Sequence, residues 1–344
     1  LGNRGLVMEH LQRLQLLENW VKTQFPGKSF TLSPASADAS FRRYFRATFS
    51  DGTLIVMDAP PQQEDCTLFL RTAKVFSAAG VHVPEVLAQN LAQGFLLLSD
   101  LGNTTYLQAL NNDPGSADQL YCDAADALIK IQLASRPGVL PDYDAALLLR
   151  ELNLFPDWYV AKHLQAVLSA EQKAELAAVF ARILQNNLAQ PRVFVHRDYH
   201  SRNLMVTLPN PGILDFQDAV YGPVTYDLVS LFKDAYIHWD EERVLDWLIR
   251  YWEKARKAEL PVVADFADFY RDFEWMGVQR HIKVLGIFAR LAHRDGKESY
   301  LRDMPLVMDY LRKACKRYRE LNPLLLLLDA LAEDKPDATI GYSF

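Results

Sequence analysis

The sequence predicts an α+β fold of two lobes, a small β-rich first lobe over residues 1–100 and a larger, mostly helical second lobe over 101–344. Three observations predict it. The first hundred residues carry a succession of short apolar and β-branched runs separated by turn signals. After Ser99-Asp100-Leu101-Gly102 the periodicity becomes mostly helical. The chain has 344 residues, 50% hydrophobic and 23% charged, enough for two cores.

Each element follows in order. Residues 6–22 read as a helix, with Leu11, Leu14 and Leu17 at helical spacing and Trp20 nearby. Phe30-Thr31-Leu32 reads as a strand. Residues 33–40, S-P-A-S-A-D-A-S, are small and polar and read as a loop. Residues 44–49 form a strand, Ser50-Asp51-Gly52 a hairpin turn, and 54–57 the return strand. Residues 65–79 predict a helix ending at Gly80, and 84–87 and 94–98 two more strands. In the helical remainder the exceptions are Val193-Phe194-Val195 and a hairpin, Leu204-Met205-Val206 against Ile213-Leu214, joined through Pro209-Asn210-Pro211-Gly212. There is no repeat and no low-complexity tract. A small-molecule site is expected in the cleft of such a two-lobed molecule.

Composition excludes several functions. The net charge of −6 implies no strongly basic face, so nucleic acid is not an expected partner. Cys66, Cys122 and Cys315 share no metal or redox spacing and read as packing residues of a reduced compartment. Residues 1–10 lack the long apolar core of a signal peptide. The apolar run 324–328 is far too short to cross a bilayer and reads as a buried helix turn. The expectation is a cytoplasmic protein with no membrane and no obligate protein partner.

The most informative stretch follows the strand at 193–195. It is His196-Arg197-Asp198-Tyr199-His200-Ser201-Arg202-Asn203, the pattern H-R-D-x-x-x-x-N of kinase catalytic loops. The spacing has a mechanical meaning. Asp198 can accept the hydrogen of an incoming hydroxyl, and Asn203 can turn back to offer an amide oxygen to Mg²⁺. Downstream, Gly212-Ile213-Leu214-Asp215-Phe216 reads as a strand ending in a second metal ligand, Asp215, with Gln217 where kinases have the Gly of D-F-G. His196 and Arg197 read as supports of the loop. In Gly222-Pro223-Val224-Thr225-Tyr226-Asp227-Leu228, Asp227 opens an apolar helix. It reads as an N-cap that also braces the loop by accepting backbone N–H bonds. Too little chain separates Asp215 from Asp227 for a peptide platform, and no A-P-E follows, so the acceptor is a small molecule.

For the nucleotide, the run with Ser36, Asp38 and Ser40 is the expected phosphate cover, because small residues let N–H groups approach phosphate oxygens. The third strand ends Ile55-Val56-Met57-Asp58 instead of in a lysine, so Asp58 must face elsewhere or the cation must come from another place. Of Arg42, Arg43 and Arg46 on or near the second strand, alternation turns one or two inward, and Arg43 or Arg46 is the expected substitute. Ser99 and Leu101 occupy the hinge position, where backbone meets an adenine edge. For the acceptor the candidates are Glu151, Asp157, Trp158, Tyr159, Arg202, Arg280, His281, Lys283 and Arg290. Val284, Leu285, Ile287, Phe288 and Leu291 pack the same helix into a core.

H-R-D-Y-H-S-R-N, I-L-D-F-Q-D and G-P-V-T-Y-D-L together resemble the aminoglycoside phosphotransferase and choline kinase superfamily, over roughly residues 30–310. The resemblance implies a protein-kinase-like fold, ATP and Mg²⁺ as cofactors, Asp198 as catalytic base, and Asn203 and Asp215 as metal ligands. S-A-D-A-S-F-R-R-Y-F-R, I-V-M-D-A-P-P and K-V-L-G-I-F-A-R-L-A-H-R-D-G-K are similar to one bacterial branch. Members of that branch phosphorylate the 1-hydroxyl of N-acetylmuramate and N-acetylglucosamine in cell-wall recycling, which implies a sugar acceptor here. Two departures stand out: Arg197 where the wider family often has Gly, and the absent third-strand lysine. Two alternatives stay open: the same fold acting on an aminoglycoside, choline or another small alcohol, and a nucleotide-binding pseudokinase.

Overall fold

The computed structural model describes residues 2–36 and 42–333. It divides into two compact units, one running to Thr105 and adding Leu204–Asp218, the other holding Tyr106–Asn203 and the chain from Ala219 onward. In chain order the elements are α1 (Gly2–Gln24), β1 (Phe30–Ser36), β2 (Arg43–Phe49), β3 (Gly52–Asp58), α2 (Cys66–Ala78), β4 (Val86–Asn90) and β5 (Phe95–Ser99). Then come α3 (Tyr106–Asn112), α4 (Ala117–Leu133), α5 (Ala145–Leu152), a wide-turn π-helix (Phe155–His163) and α6 (Ala170–Leu188). The motif region holds β6 (Arg192–Val195), β7 (Leu204–Met205), β8 (Gly212–Ile213) and β9 (Val220–Pro223). The rest is α7 (Tyr226–Phe232), α8 (Glu241–Lys257), α9 (Phe266–Asp295), α10 (Met304–Arg317) and α11 (Asn322–Glu333).

The first unit is a five-stranded antiparallel sheet of order β1-β2-β3-β5-β4. Strand alternation sends Ala47, Val56, Phe95 and Leu97 to one face, where α1 covers them with Leu17, Trp20 and Val21. Burying each large side chain there contributes about 1.5–3 kcal/mol. The run 33–36 is strand, not loop: Ser33 pairs with Arg46, Pro34 with Phe45, and Ser36 with Tyr44. Ladder partners on β2 override the small, polar composition, and Pro34 is tolerated because β1 is an edge strand. The β7–β8 hairpin joins this unit through Val206 N–H to Thr104 O (2.9 Å) and Ile213 N–H to His82 O (2.8 Å). Phe216 follows it and packs on Phe69 and Phe76 of α2, ring centroids 4.9 and 5.9 Å apart.

The second unit is built around α9. Val278, Ile282, Leu285 and Phe288 meet Leu152, Phe155, Phe180, Val307 and Leu328 in one core. Gly286 makes the approach possible, since a Cβ there would lie 2.4 Å from the Leu154 carbonyl carbon. The run 324–328 falls in α11, with Leu324, Leu327 and Leu328 buried and Leu326 exposed. β6 pairs antiparallel with β9, so the strand before the H-R-D sequence and the segment before α7 are tied together. Cys66, Cys122 and Cys315 are all free thiols. No described helix is long and apolar enough to cross a membrane.

Candidate active site

In the second unit the catalytic loop is fixed at both ends by buried carboxylates. Asp227 is not the N-cap of α7; Thr225 holds that position, and Asp227 sits in the first turn. There it accepts the backbone N–H groups of His196 (2.7 Å) and Arg197 (3.0 Å). It braces the loop by these two bonds. Burial pushes its carboxyl up to about 6, against His196 and the two N–H donors. Asp234, beyond the end of α7, accepts from Ser201 N–H (2.9 Å), from the Ser201 hydroxyl and from Tyr236 N–H (3.0 Å). Within the loop, Asp198 N–H donates to His196 Nδ1 (3.2 Å) and Asn203 Nδ2 to the Asp198 carbonyl (2.9 Å). The second bond fixes which end of the Asn203 amide faces the loop carbonyl. A buried donor left unmatched costs about 1–3 kcal/mol, so several such bonds hold one conformation against its alternatives.

Arg197 explains the first departure from the family pattern. Its φ is +79°, the left-handed region where glycine is the easy choice. The cost of the side chain is offset by what the guanidinium does. It pairs with the buried carboxylate of Glu151 and lies 5.5 Å from the Tyr143 ring. Glu151 also pairs with Lys283 Nζ (3.0 Å) and accepts from the Tyr143 hydroxyl. Lys283 in turn donates to the Tyr226 hydroxyl at 2.9 Å. Burial alone would push the Glu151 carboxyl up, but Lys283, Arg197 and Tyr143 hold it below the usual range. Gly222 serves this network, because a Cβ there would lie 2.6 Å from Tyr143 Cβ.

Asp198 points its carboxylate at a cationic neighbourhood. Its side chain is 44% exposed, and Arg280 Nη1 stands 4.0 Å from Oδ1. Burial opposes ionisation, but Lys283, Arg280, His200 and Arg197 together hold the acid well below the usual carboxylate range. Such a group is a weak base that stays charged.

The expected acceptor residues divide. Glu151 and Lys283 are engaged with each other inside the network. His281 is buried on α9, stacked on Tyr310 (5.0 Å) and 3.3 Å from the Lys233 carbonyl, and burial pushes its imidazole down to about 3. Trp158 is half-buried against the second unit's core. Arg202 is exposed and lies over Tyr236 (4.6 Å) and Tyr300 (5.7 Å). Arg280 is the candidate that meets Asp198. It precedes Lys283 by three positions, one turn along the same helix, which is the signal a sequence reading could use. Asp234 and Tyr143 were missed; both act through contacts distant in sequence.

In the first unit, Asp215 also has a positive φ, +60°, which Asp tolerates better than most residues. Gln217 Nε2 donates to Asp215 Oδ1 at 2.7 Å, so the residue that replaces glycine braces the carboxylate. Asp58 faces the α1 side of the sheet and is 0% exposed. It binds Arg13 Nε (2.7 Å) and Arg43 Nε (3.0 Å). Arg43 is thereby engaged away from the expected phosphate role, because residue alternation places it on the face of Phe45 and Ala47. Arg46 points to the other face and holds Asp100 Oδ2 (2.6 Å) and the Gly102 carbonyl (3.0 Å). Arg42 lies 3.6 Å from Asp215 Oδ1 and 3.6 Å from Glu64 Oε2. At the hinge, Ser99 Oγ accepts from Glu85 N–H (2.8 Å) and Leu101 is buried near Gly212. Ser36 closes β1, but its side chain lies outside the described residues, as do Asp38 and Ser40.

Asn203 in the second unit offers an amide oxygen and Asp215 in the first a carboxylate, each a hard donor of the kind Mg²⁺ prefers. No group of three or more His, Cys, Asp or Glu forms a metal cage among the described residues. Mg²⁺ in phosphoryl-transfer sites commonly takes one or two carboxylates plus waters and phosphates, and the chemistry of each residue by itself fits that.

A family model described as "Phosphotransferase enzyme family" matches residues 31–266. The chain is 52% identical over 337 residues to an N-acetylmuramate/N-acetylglucosamine kinase of Neisseria meningitidis serogroup B, covering 97% of this chain and 100% of that protein. It is 55% identical over 302 residues to a protein of the same name from Pseudomonas aeruginosa, covering 88% and 89%. Among solved structures it resembles a choline kinase from Streptococcus pneumoniae, with TM-score 0.62, 11% identity, and coverage of 88% of this chain and 99% of that one. An ADP-bound aminoglycoside phosphotransferase gives TM-score 0.56 at 14% identity, covering 86% and 96%. The structural likenesses show the fold, which is the protein-kinase-like one.

Proposed function

We propose that this chain, which belongs to the phosphotransferase enzyme family, is a kinase that uses ATP to phosphorylate the anomeric hydroxyl of N-acetylmuramate and N-acetylglucosamine. One observation carries the reading. A charged Asp198 is held on a doubly clamped loop beside Arg280, in a chain about half identical to kinases of that name over nearly its full length.

In this reading Asp198 orients the sugar hydroxyl. It takes the proton as the sugar oxygen bonds to the γ-phosphorus and the bond to the ADP oxygen breaks. Transfer through a loose transition state asks more of position than of base strength, which suits an acid held as the carboxylate. A hemiacetal hydroxyl is also more acidic than an ordinary alcohol. Asn203 and Asp215 would hold Mg²⁺, which supplies charge neutralisation at phosphate oxygens when bound. Asp227 and Asp234 keep the loop in one conformation while Asp198 works.

The charges near Asp198 bear on the acceptor. Lys283 and Arg197 are paired with Glu151, which leaves Arg280 as the cation nearest Asp198, and a cationic acceptor such as choline or an aminoglycoside is disfavoured beside it. A neutral N-acetylglucosamine or an anionic muramate is not. Nucleotide consumption measured across both amino sugars, aminoglycosides and choline tests this directly. Turnover with the two amino sugars and none with the cations is expected. Turnover only with a cationic alcohol, or with none of them, overturns the assignment.

A further inference from the structure

The third strand of this fold ordinarily ends in a lysine that pairs with a glutamate of the following helix and grips the nucleotide phosphates. Here that strand ends in Met57 and Asp58, and Asp58 faces α1 with no exposure. Nothing on β3 can replace the lysine. Arg43 shares the α1 face and is bound to Asp58, and Arg46 is bound to Asp100 and the Gly102 carbonyl.

We propose that Arg42 is the missing phosphate cation: a nucleotide-binding residue, held between Glu64 and Asp215, whose guanidinium binds the nucleotide's terminal phosphates. The inference rests on the kinase reading above and goes beyond it by naming the residue. Three features of the first unit carry it. Arg42 Nη1 lies 3.6 Å from Glu64 Oε2, just before α2, which reproduces the cation–glutamate pairing from the residue just before β2. Arg42 Nη2 lies 3.6 Å from Oδ1 of Asp215, so the cation stands beside the carboxylate that would hold the phosphate-bound Mg²⁺. Both separations exceed those of a direct hydrogen bond, so each of the two acids acts on the guanidinium through charge. Its side chain is only 11% exposed, which shields it from solvent screening. The longer reach of Arg compensates for starting one strand further away. Its planar fork also suits two phosphate oxygens better than an ammonium would.

The alternative is that Arg42 merely holds Asp215 in place. Equilibrium binding separates the two without turnover. Wild type, Arg42→Gln and Arg42→Lys are titrated by calorimetry with a non-hydrolysable ATP analogue, with Mg²⁺ and without it, and then with adenosine, while circular dichroism monitors the fold. The expected result is a roughly 10- to 100-fold loss of analogue affinity for Arg42→Gln, present with and without Mg²⁺, with adenosine affinity unchanged. Arg42→Lys, which keeps the charge and is the milder change for folding, should lose less. Wild-type affinity for the analogue in Arg42→Gln, a loss confined to the Mg²⁺-loaded analogue, or equal losses for analogue and adenosine, overturns the proposal. A wild-type chain that binds no nucleotide overturns the kinase reading along with it.

Discussion

The charged groups of the second unit and those of the first are organised in opposite ways. Around the catalytic loop, Glu151, Arg197, Lys283, Tyr143 and Tyr226 form one buried, shared network in which each group serves at least one other. On the first sheet, charges sit in separate clusters that share no member: Arg43 and Arg13 on Asp58, Arg46 on Asp100, Arg42 between Glu64 and Asp215. A buried network fixes a conformation, because losing any member strands the rest. Separate clusters can be changed one at a time without stranding the others.

The predictions break or sharpen this contrast, beginning with the largest effect. Asp198→Asn removes the base and leaves the network intact. Its turnover should fall roughly 100- to 10,000-fold while the melting curve stays near wild type. Near-normal turnover would remove Asp198 from the mechanism. Glu151→Ala does the reverse to the protein, leaving Arg197 and Lys283 buried and uncompensated. Chemical denaturation should show a loss of about 3–5 kcal/mol. A loss below 1 kcal/mol, typical of an exposed pair, would mean the network is no network.

A third effect is acid sensitivity of the second unit. His281 is pushed down to about 3 by burial, with Lys233 and Arg280 adding to the shift. Its folded form therefore refuses a proton that the unfolded chain takes up below its ordinary value near 6.5. Its stabilising contribution is full above that pH and is lost as pH falls toward 3. The change by pH 4 should be roughly 3 kcal/mol. Asp227, raised to about 6 by burial, acts in the opposite sense, so the comparison must be between wild type and His281→Gln. Denaturant midpoints should converge as pH falls from 7 to 4; parallel profiles would show that His281 is not buried neutral.

The smallest effect is the sharpest discriminator. A double-mutant cycle on Arg46 and Asp100 should give a coupling of about 0.5–1 kcal/mol, and one on Lys283 and Glu151 at least twice that. Equal couplings would erase the distinction between the units.

The same distinction decides what could be read from the sequence. The catalytic loop was legible because its chemistry is local: a strand, an Asp, and an Asn at fixed spacing. The sheet, α1, α2 and the β7–β8 hairpin were legible from alternation, caps and turn residues. The choice among Arg42, Arg43 and Arg46 was not, because it depends on which face of β2 meets α1 and on the distant Asp58 and Asp100. Position 58 looked like an obstacle until its register placed it opposite Arg43 on the covered face. The polar run 33–36 was read as loop because composition carries no record of the partner strand that pairs it. Tyr143 and Asp234 serve the loop through contacts that nothing in their local sequence announces, whereas Arg280 lies one helical turn before Lys283.

The most direct test of the central claim is the chemistry of the product. N-acetylmuramate is incubated with ATP and Mg²⁺, and the product is examined by phosphorus NMR together with a reducing-end assay. Phosphate coupled to the anomeric proton, with the reducing end lost in step with ADP release, is the predicted result. ADP release that leaves the reducing end intact, or no phosphorylated sugar at all, would contradict the account.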